Sequence, residues 1–96
     1  MYSVLDEPLD NVAARQLIRQ ILRDGTFRVT SHALKELSND DMEEVDAVNV
    51  LRGGMVDGCD FERGTWRYRV RTPKFVVVVA FRSETELVVV TAWRLQ

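Results

Sequence analysis

The sequence predicts an α+β domain in which three helices are followed by a four-stranded antiparallel β-meander, with the helices packed on one face of the sheet. In the first half, apolar residues recur every three or four positions, which is the period of an amphipathic helix. From Met55 onward they alternate with polar residues, which is the period of a strand. At 96 residues, the chain is predicted to form one domain over residues 1–96.

The first helix is predicted to begin at Asp10 or Asn11, either of which can cap it, and to end near Arg23, before Asp24-Gly25. One apolar stripe follows the helical period: Ala14, Leu17, Ile18, Ile21 and Leu22. Another face carries arginines four residues apart: Arg15, Arg19 and Arg23.

The second helix is predicted from the segment that precedes it. Residues 27–30 form a short extended piece, and Ser31 then caps a helix with His32 in its first turn. Residues 38–41 interrupt the helical pattern.

The third helix is predicted over residues 40–52, because Asp40 and Glu43 have the spacing of a capping box and Gly53-Gly54 ends the pattern. Its first turn is strongly acidic, with Asp40, Asp41, Glu43 and Glu44. A helix dipole favours acidic residues at this end, so we interpret them as part of the helix start and predict no metal site.

Four strands are predicted in the second half, at residues 55–61, 65–72, 75–82 and 87–94. Thr72-Pro73-Lys74 and residues 83–86 supply turns, and connections this short make neighbouring strands antiparallel. The run 75–81 is apolar on both faces, which predicts a central strand.

The pattern also predicts which side chains are buried. The predicted core comprises Leu17, Ile21, Leu34, Val45, Val48, Val77, Val79 and Val89. The opposite face of the sheet carries more apolar residues: Val76, Val78, Ala80, Val88, Val90 and Ala92. Such a face needs a cover, which is either the first helix, a protein partner or a second copy of the chain. We therefore expect a homo-oligomer, or poor solubility without a partner.

Several classes of protein are excluded by composition. The longest apolar runs, 75–81 and 87–93, are too short to cross a bilayer, so no membrane association is expected. Residues 1–10 are acidic and lack the pattern of a secretory signal. Cys59 is the single cysteine, which rules out an intrachain disulfide. These features favour a cytoplasmic protein. The sequence contains none of the common phosphate-loop, dinucleotide or zinc-protease motifs, and no cofactor is expected.

Charge is divided along the chain. Residues 1–61 contain six Lys and Arg against twelve Asp and Glu, a balance of −6, whereas residues 62–96 contain seven against three, a balance of +4. A basic half can bind a polyanion such as RNA. The alternative is two solvated faces of opposite sign.

The strongest local signal is the segment 65–71, where Trp66, Tyr68 and Val70 alternate with Arg67, Arg69 and Arg71. In a strand, the three arginines share one face and stand about 7 Å apart. Guanidinium groups bind phosphates bidentately, so the row suits an anion. The alternative is an exposed strand whose charges prevent aggregation.

Other candidates are scattered. His32, the only histidine, can act as an acid or base or contact a phosphate at a helix start; the alternative is a surface histidine. Arg82, Arg94 and Lys74 can extend the basic surface, and the alternative is that strand ends are charged because they are exposed. Trp93 can stack on a base, although a large aromatic near the end of an apolar strand more often belongs to the core.

The segment 27–37 (FRVTSHALKEL), the helix 40–52, the strand 66–70 (WRYRV) and the closing run 88–94 (VVVTAWR) together resemble the RelE/ParE-like toxin superfamily, closest to its MqsR- and BrnT-like branch. The resemblance covers roughly residues 26–95. It implies a RelE-like domain, a toxin of a type II toxin–antitoxin system, an endoribonuclease (mRNA interferase) that needs no metal, and a cognate antitoxin protein as partner. The matching catalytic positions are His32, Arg67, Tyr68, Arg69, Arg82 and Arg94, and the further RNA-binding positions are Arg71, Lys74 and Trp93.

Two other functions remain open. One is a non-catalytic binding module that inhibits or regulates a protein partner. The other is an inert assembly domain in which the arginine strand only shields an edge.

Overall fold

A computed structural model describes residues 5–96. Residues 1–4 lie outside the described residues; they are part of the predicted domain and of the N-terminal stretch in which a secretory signal was sought. The helices are α1 (Asn11–Asp24), α2 (Ser31–Asn39) and α3 (Glu44–Gly53). The strands are β1 (Thr26–Val29), β2 (Met55–Glu62), β3 (Thr65–Arg71), β4 (Phe75–Ser83) and β5 (Glu86–Arg94). None of the helices within residues 5–96 is long and apolar enough to span a membrane.

The predicted four-stranded antiparallel meander is wrong, because the sheet has five strands and is mixed. Its order is β1-β5-β4-β3-β2, and β1 lies parallel to β5, with Thr26 opposite Glu86 and Val29 opposite Val89. The short extended segment before α2 was visible in the sequence, but its parallel partner lies 60 residues away and leaves no local pattern. The class α+β and the central place of β4 are as predicted.

Gly25 lets the chain pass from α1 into β1. A Cβ at this position would collide with the carbonyl oxygen of Thr85, and the Thr26 N–H donates to that same oxygen at 2.9 Å. The glycine therefore ends α1 and brings β1 against the start of β5.

All three helices pack with one face of the sheet into a single core. Ile18 and Ile21 of α1, for example, join Val77 and Val79 of β4. Of the predicted core, Ile21, Val77, Val79 and Val89 are buried, and Leu17 packs at its edge. Leu34 and Val45 are exposed, and Val48 is only partly buried and lies outside the core, so these three assignments are wrong. The buried faces of α2 and α3 are instead formed by Ala33, Leu37, Ala47, Val50 and Leu51.

Two helix starts also differ from the prediction. The cap of α2 is Thr30, whose Oγ1 accepts from the Ala33 N–H at 3.0 Å. The capping box of α3 joins Glu43 and Asp46, so that helix begins four residues later than the Asp40 start predicted.

A β-bulge in β5 changes which face Ala92 occupies. Val79 pairs with Val89 and Val78 with Thr91, so Val90 is an extra residue. Because the alternation shifts there, Ala92 is fully buried in the core rather than on the opposite face.

Candidate functional site

Strand β3 places its arginines on the sheet face that no helix of residues 5–96 covers. Tyr68 and Val70 are buried in the core on the helix side. Arg67, Arg69 and Arg71 alternate with them, and their side chains are 22%, 35% and 51% exposed. The predicted alternation is therefore confirmed, and the face that carries these three arginines is called the open face below.

Carboxylates of the neighbouring strand β2 contact two of these arginines closely. Arg71 Nη1 lies 2.9 Å from Asp57 Oδ2, and Arg69 Nε lies 3.3 Å from Asp57 Oδ1. On the other side of the same guanidinium, Arg69 Nη1 donates to Asp60 Oδ2. Asp57 and Asp60 therefore hold Arg69 between them.

Arg67 is held more loosely. Its Nη1 is 3.8 Å from Glu62 Oε2, and its Nε donates to Thr65 Oγ1 at 3.4 Å. Across β2 and β3, three guanidinium groups thus face three carboxylates, and the repulsion expected for a row of unpaired arginines is relieved within the chain.

A β-bulge in β2 makes room for Arg69. Between residues 56 and 59, β2 has one residue more than β3. Gly58, in this bulge, has a φ of 135°, and a Cβ there would collide with the Arg69 guanidinium. The bulge, its glycine and the two flanking aspartates therefore form one socket for Arg69.

Tyr68, a predicted catalytic residue, belongs to the core. Its ring is buried and lies 5.1 Å from the ring of Phe81, centroid to centroid. Its hydroxyl donates to Glu7 Oε2 at 2.8 Å and accepts from the Leu9 N–H at 3.0 Å. Burial raises the pKa of the Tyr68 phenol well above its usual value, and the Glu7 carboxylate raises it further, although the Leu9 N–H works the other way. The phenol thus keeps its proton and anchors the segment that precedes α1.

His32 lies apart from the arginines. It is exposed near the start of α2, with Nε2 4.0 Å from Glu36 Oε1. Thr30, two residues earlier, is bound to β5 through the Val89 carbonyl. Three strand spacings, about 14 Å, separate β1 from β3, and α2 packs on the helix side of the sheet. The fold therefore does not assemble His32 with Arg67, Arg69 and Arg71.

Arg94 and Lys74 lie where the sheet meets the loop between α2 and α3. The Arg94 guanidinium donates to the carbonyl oxygens of Asp40 at 3.1 Å and Asp41 at 3.0 Å, and it lies 5.0 Å from the centre of the Phe75 ring. Through these contacts, Arg94 holds the loop between α2 and α3 against the sheet. Lys74 is exposed in the β3–β4 turn.

Trp93 lies opposite Val76 and is 37% exposed, which places it on the open face. Arg82 is exposed near the end of β4, where the pairing with β5 shifts register between Phe81 and Ser83, so strand alternation does not fix the face that it occupies. The predicted site residues that the fold gathers on the open face are therefore Arg67, Arg69, Arg71 and Trp93, whereas His32, Tyr68, Lys74 and Arg94 lie elsewhere.

An apolar strip runs through the middle of the open face. Val76, Val78 and Ala80 are 5–8% exposed, yet they belong to no part of the core that the helices cover. In register, Val76 lies between Arg71 and Trp93 on the adjacent strands. We attribute the low exposure of the strip to these long neighbouring side chains, whose apolar parts cover it.

A second group of arginines, on the helix side, was not assigned a role from the sequence. Arg19 and Arg23 of α1 line a groove with Arg52 from the end of α3. One turn earlier on α1, the Nε of Arg15 is buried and has no hydrogen-bond partner within residues 5–96. The four-residue spacing on α1 was visible in the sequence, but the approach of Arg52 depends on how α1 and α3 pack.

Within the described residues, no group of three or more His, Cys, Asp or Glu side chains is placed to hold a metal ion. No family model, curated protein or solved structure matches the chain.

Proposed function

We propose that the protein is a toxin of a type II toxin–antitoxin system that acts on RNA bound across the open face. The observation that carries the proposal is the row of Arg67, Arg69 and Arg71 on a face that no helix of residues 5–96 covers. Guanidinium groups bind phosphate oxygens in bidentate pairs and stay charged at physiological pH. The resemblance of residues 26–95 to the RelE/ParE-like toxins supports the same class.

The carboxylates of β2 lower the affinity of this face for RNA, but they do not abolish it. Partly exposed ion pairs are worth only about 0.2–1 kcal/mol each, so a phosphate can replace a carboxylate at small cost. Arg71 is half exposed and, within residues 5–96, contacts one carboxylate only. The pairs also hold the guanidinium groups in place before RNA binds, which lowers the entropy lost on binding.

RNA cleavage requires a group that accepts the proton of the attacking 2′-hydroxyl. Within residues 5–96, the groups that contact the arginine row and can accept a proton are the carboxylates of Asp57, Asp60 and Glu62. We assign this role to Asp60, whose side chain is 66% exposed and touches Arg69. The proton then moves to Asp60, Arg69 stabilises the charge on the phosphorane, and the departing 5′-oxygen takes a proton from solvent.

Expression in a bacterial host tests the proposal. The parent chain is expected to arrest growth and to fragment cellular RNA. Arg69→Gln should abolish both effects, and Lys35→Gln, which removes one positive charge from the helix side, should change neither. Growth that continues normally when soluble parent protein accumulates would remove the proposal.

Asp60→Asn separates binding from cleavage. Because it removes a carboxylate that competes with phosphate, RNA affinity should rise, whereas cleavage should fall by roughly 10²–10⁴. A variant that cleaves as fast as the parent would show that Asp60 is not the proton acceptor.

The apolar strip favours a second candidate function, a non-catalytic module that inhibits a protein. Val76, Val78 and Ala80 offer no hydrogen bonds to a base or phosphate, whereas an apolar centre with a polar rim is typical of protein interfaces. In this case growth arrest should leave RNA intact and should not respond to Asp60→Asn.

A further inference from the structure

A groove on the helix side, between α1 and α3, is lined mainly by arginines. It is lined by Arg19, Leu22, Arg23 and Arg52, and its volume is about 490 Å³. Three of the four lining side chains are therefore permanent cations. This groove shares no residue with the arginine row of the open face.

The arginines of the groove are not neutralised as those of β3 are. Within residues 5–96, no carboxylate lies within 4.0 Å of the Arg19 or Arg52 guanidinium. Among the described residues, the only carboxylate paired with Arg23 is that of its neighbour Asp24, at 3.4 Å, and both side chains are about two-thirds exposed. Such an exposed pair is weak and leaves Arg23 open to exchange.

The negative ends of two helix dipoles offset part of the positive charge of the groove. Arg23 is in the last turn of α1 and Arg52 in the last turn of α3. Each helix end carries about half a negative charge, so the two ends together offset roughly one of the three positive charges. Asp24 beside Arg23 offsets one more, and the net positive charge of about one that remains favours an anion.

One guanidinium of the groove is already fixed. Arg19 Nε donates to the carbonyl oxygen of Arg52 at 3.1 Å. This bond holds the end of α3 against α1, while the two terminal nitrogens of Arg19 stay available as a pair of parallel donors. A pair of this geometry matches two oxygens of a phosphate.

We propose that the groove between α1 and α3 is a phosphate-binding site. Arg19 and Arg52 hold the phosphate oxygens, Arg23 adds charge at the rim, and Leu22 provides an apolar wall for a sugar or base. The phosphate belongs either to an RNA backbone or to a free nucleotide, and the chemistry that recognises it is the same. The site does not depend on the proposed action of the open face.

Titration calorimetry with inorganic pyrophosphate, a nucleoside 5′-monophosphate and a single-stranded RNA of about ten nucleotides tests the site. Arg52→Gln is the informative variant, because its side chain makes no hydrogen bond in the described residues and its loss should leave the fold intact. It should weaken pyrophosphate binding roughly tenfold to a hundredfold, as expected for loss of a charge-assisted bond. Lys35→Gln, which removes an exposed positive charge from α2, is the matched control and should bind like the parent.

The two sources of phosphate give different results. An RNA backbone is the ligand if RNA binds at least about tenfold more tightly than the monophosphate and if Arg52→Gln changes the slope of RNA affinity against salt concentration. A free nucleotide is the ligand if the monophosphate binds more tightly than RNA. Pyrophosphate that does not bind the parent, or binds Arg52→Gln equally well, overturns the site. Arg69→Gln should abolish growth arrest and RNA fragmentation but should lower the affinity for pyrophosphate less than Arg52→Gln does, so failure of the open-face proposal and failure of this one can be told apart.

Discussion

Replacing Tyr68 with phenylalanine tests whether this residue is structural or catalytic. The substitution keeps the ring and its packing on Phe81, and removes only the hydroxyl. That hydroxyl joins Glu7 and Leu9 to strand β3, across some 60 positions of sequence. The change therefore removes two long-range hydrogen bonds and creates no cavity.

The cost follows from those two bonds. A bond to a charged carboxylate is worth about 1.5–3 kcal/mol and one to a backbone N–H about 0.5–1.5 kcal/mol. Because Glu7 and Leu9 are half-buried, water can replace part of each bond, and the lower end of each range applies. Tyr68→Phe should thus lower the free energy of unfolding by about 2 kcal/mol. For a domain of this size, the melting temperature should fall by roughly 8–16 °C.

Urea denaturation followed by circular dichroism measures this loss, and a double-mutant cycle with Glu7→Ala assigns it. The two substitutions should be non-additive, because each removes the same bond. Below the melting temperature, Tyr68→Phe should bind and cleave RNA like the parent. Unchanged stability together with lost activity would refute the structural assignment and restore Tyr68 as a catalytic candidate.

Three further outcomes follow from the structure. The free energy of unfolding should fall as pH rises above about 10, because the tyrosine of the unfolded chain ionises there while the folded phenol, with its raised pKa, stays protonated. The parent should therefore lose up to about 1.4 kcal/mol per pH unit more than Tyr68→Phe. Gly58→Ala should destabilise the fold by about 1–3 kcal/mol and release Arg69 from its socket. Proteolysis and NMR of the Arg69 side chain would detect these changes, and an unchanged Arg69 signal would contradict the socket. His32→Gln should change neither melting temperature nor RNA cleavage, because His32 is exposed and lies away from the open face, and loss of cleavage in a folded variant would place it in the site after all.

The elements of the fold were largely predictable because their signals are local. The helical period, the Asp10 cap of α1 and the change of period at Met55 each lie within a short window of sequence. The parallel pairing of β1 with β5 has no such signal, since a four-residue strand can join any free edge. The shift of Ala92 into the core was equally hidden, because a bulge is a property of two paired strands and not of one.

The candidate site was predictable to the same extent. Alternation alone placed Arg67, Arg69 and Arg71 on one face, and the structure agrees. Which groups meet that face depends on the register of β2, and the bulge at Gly58 sets that register. The burial of Tyr68 follows from the same alternation, but its partner Glu7 comes from a segment with no periodic pattern.

The division of charge between the two halves of the sequence does not correspond to a division of charge in the folded structure. The β2–β3 turn falls at residues 63–64, close to the boundary between the acidic and basic halves. Antiparallel pairing brings together residues that are equally distant from the turn, so the acids before it face the arginines after it. The basic half is thereby neutralised along β3, whereas Arg19, Arg23 and Arg52 belong to the acidic half and together keep a net positive charge. If the net charge around each arginine in the folded structure governs phosphate binding, Arg52→Gln should lower the affinity for pyrophosphate more than Arg69→Gln does. The opposite ranking would mean that phosphate displaces the β2 carboxylates more easily than the weakness of exposed ion pairs suggests.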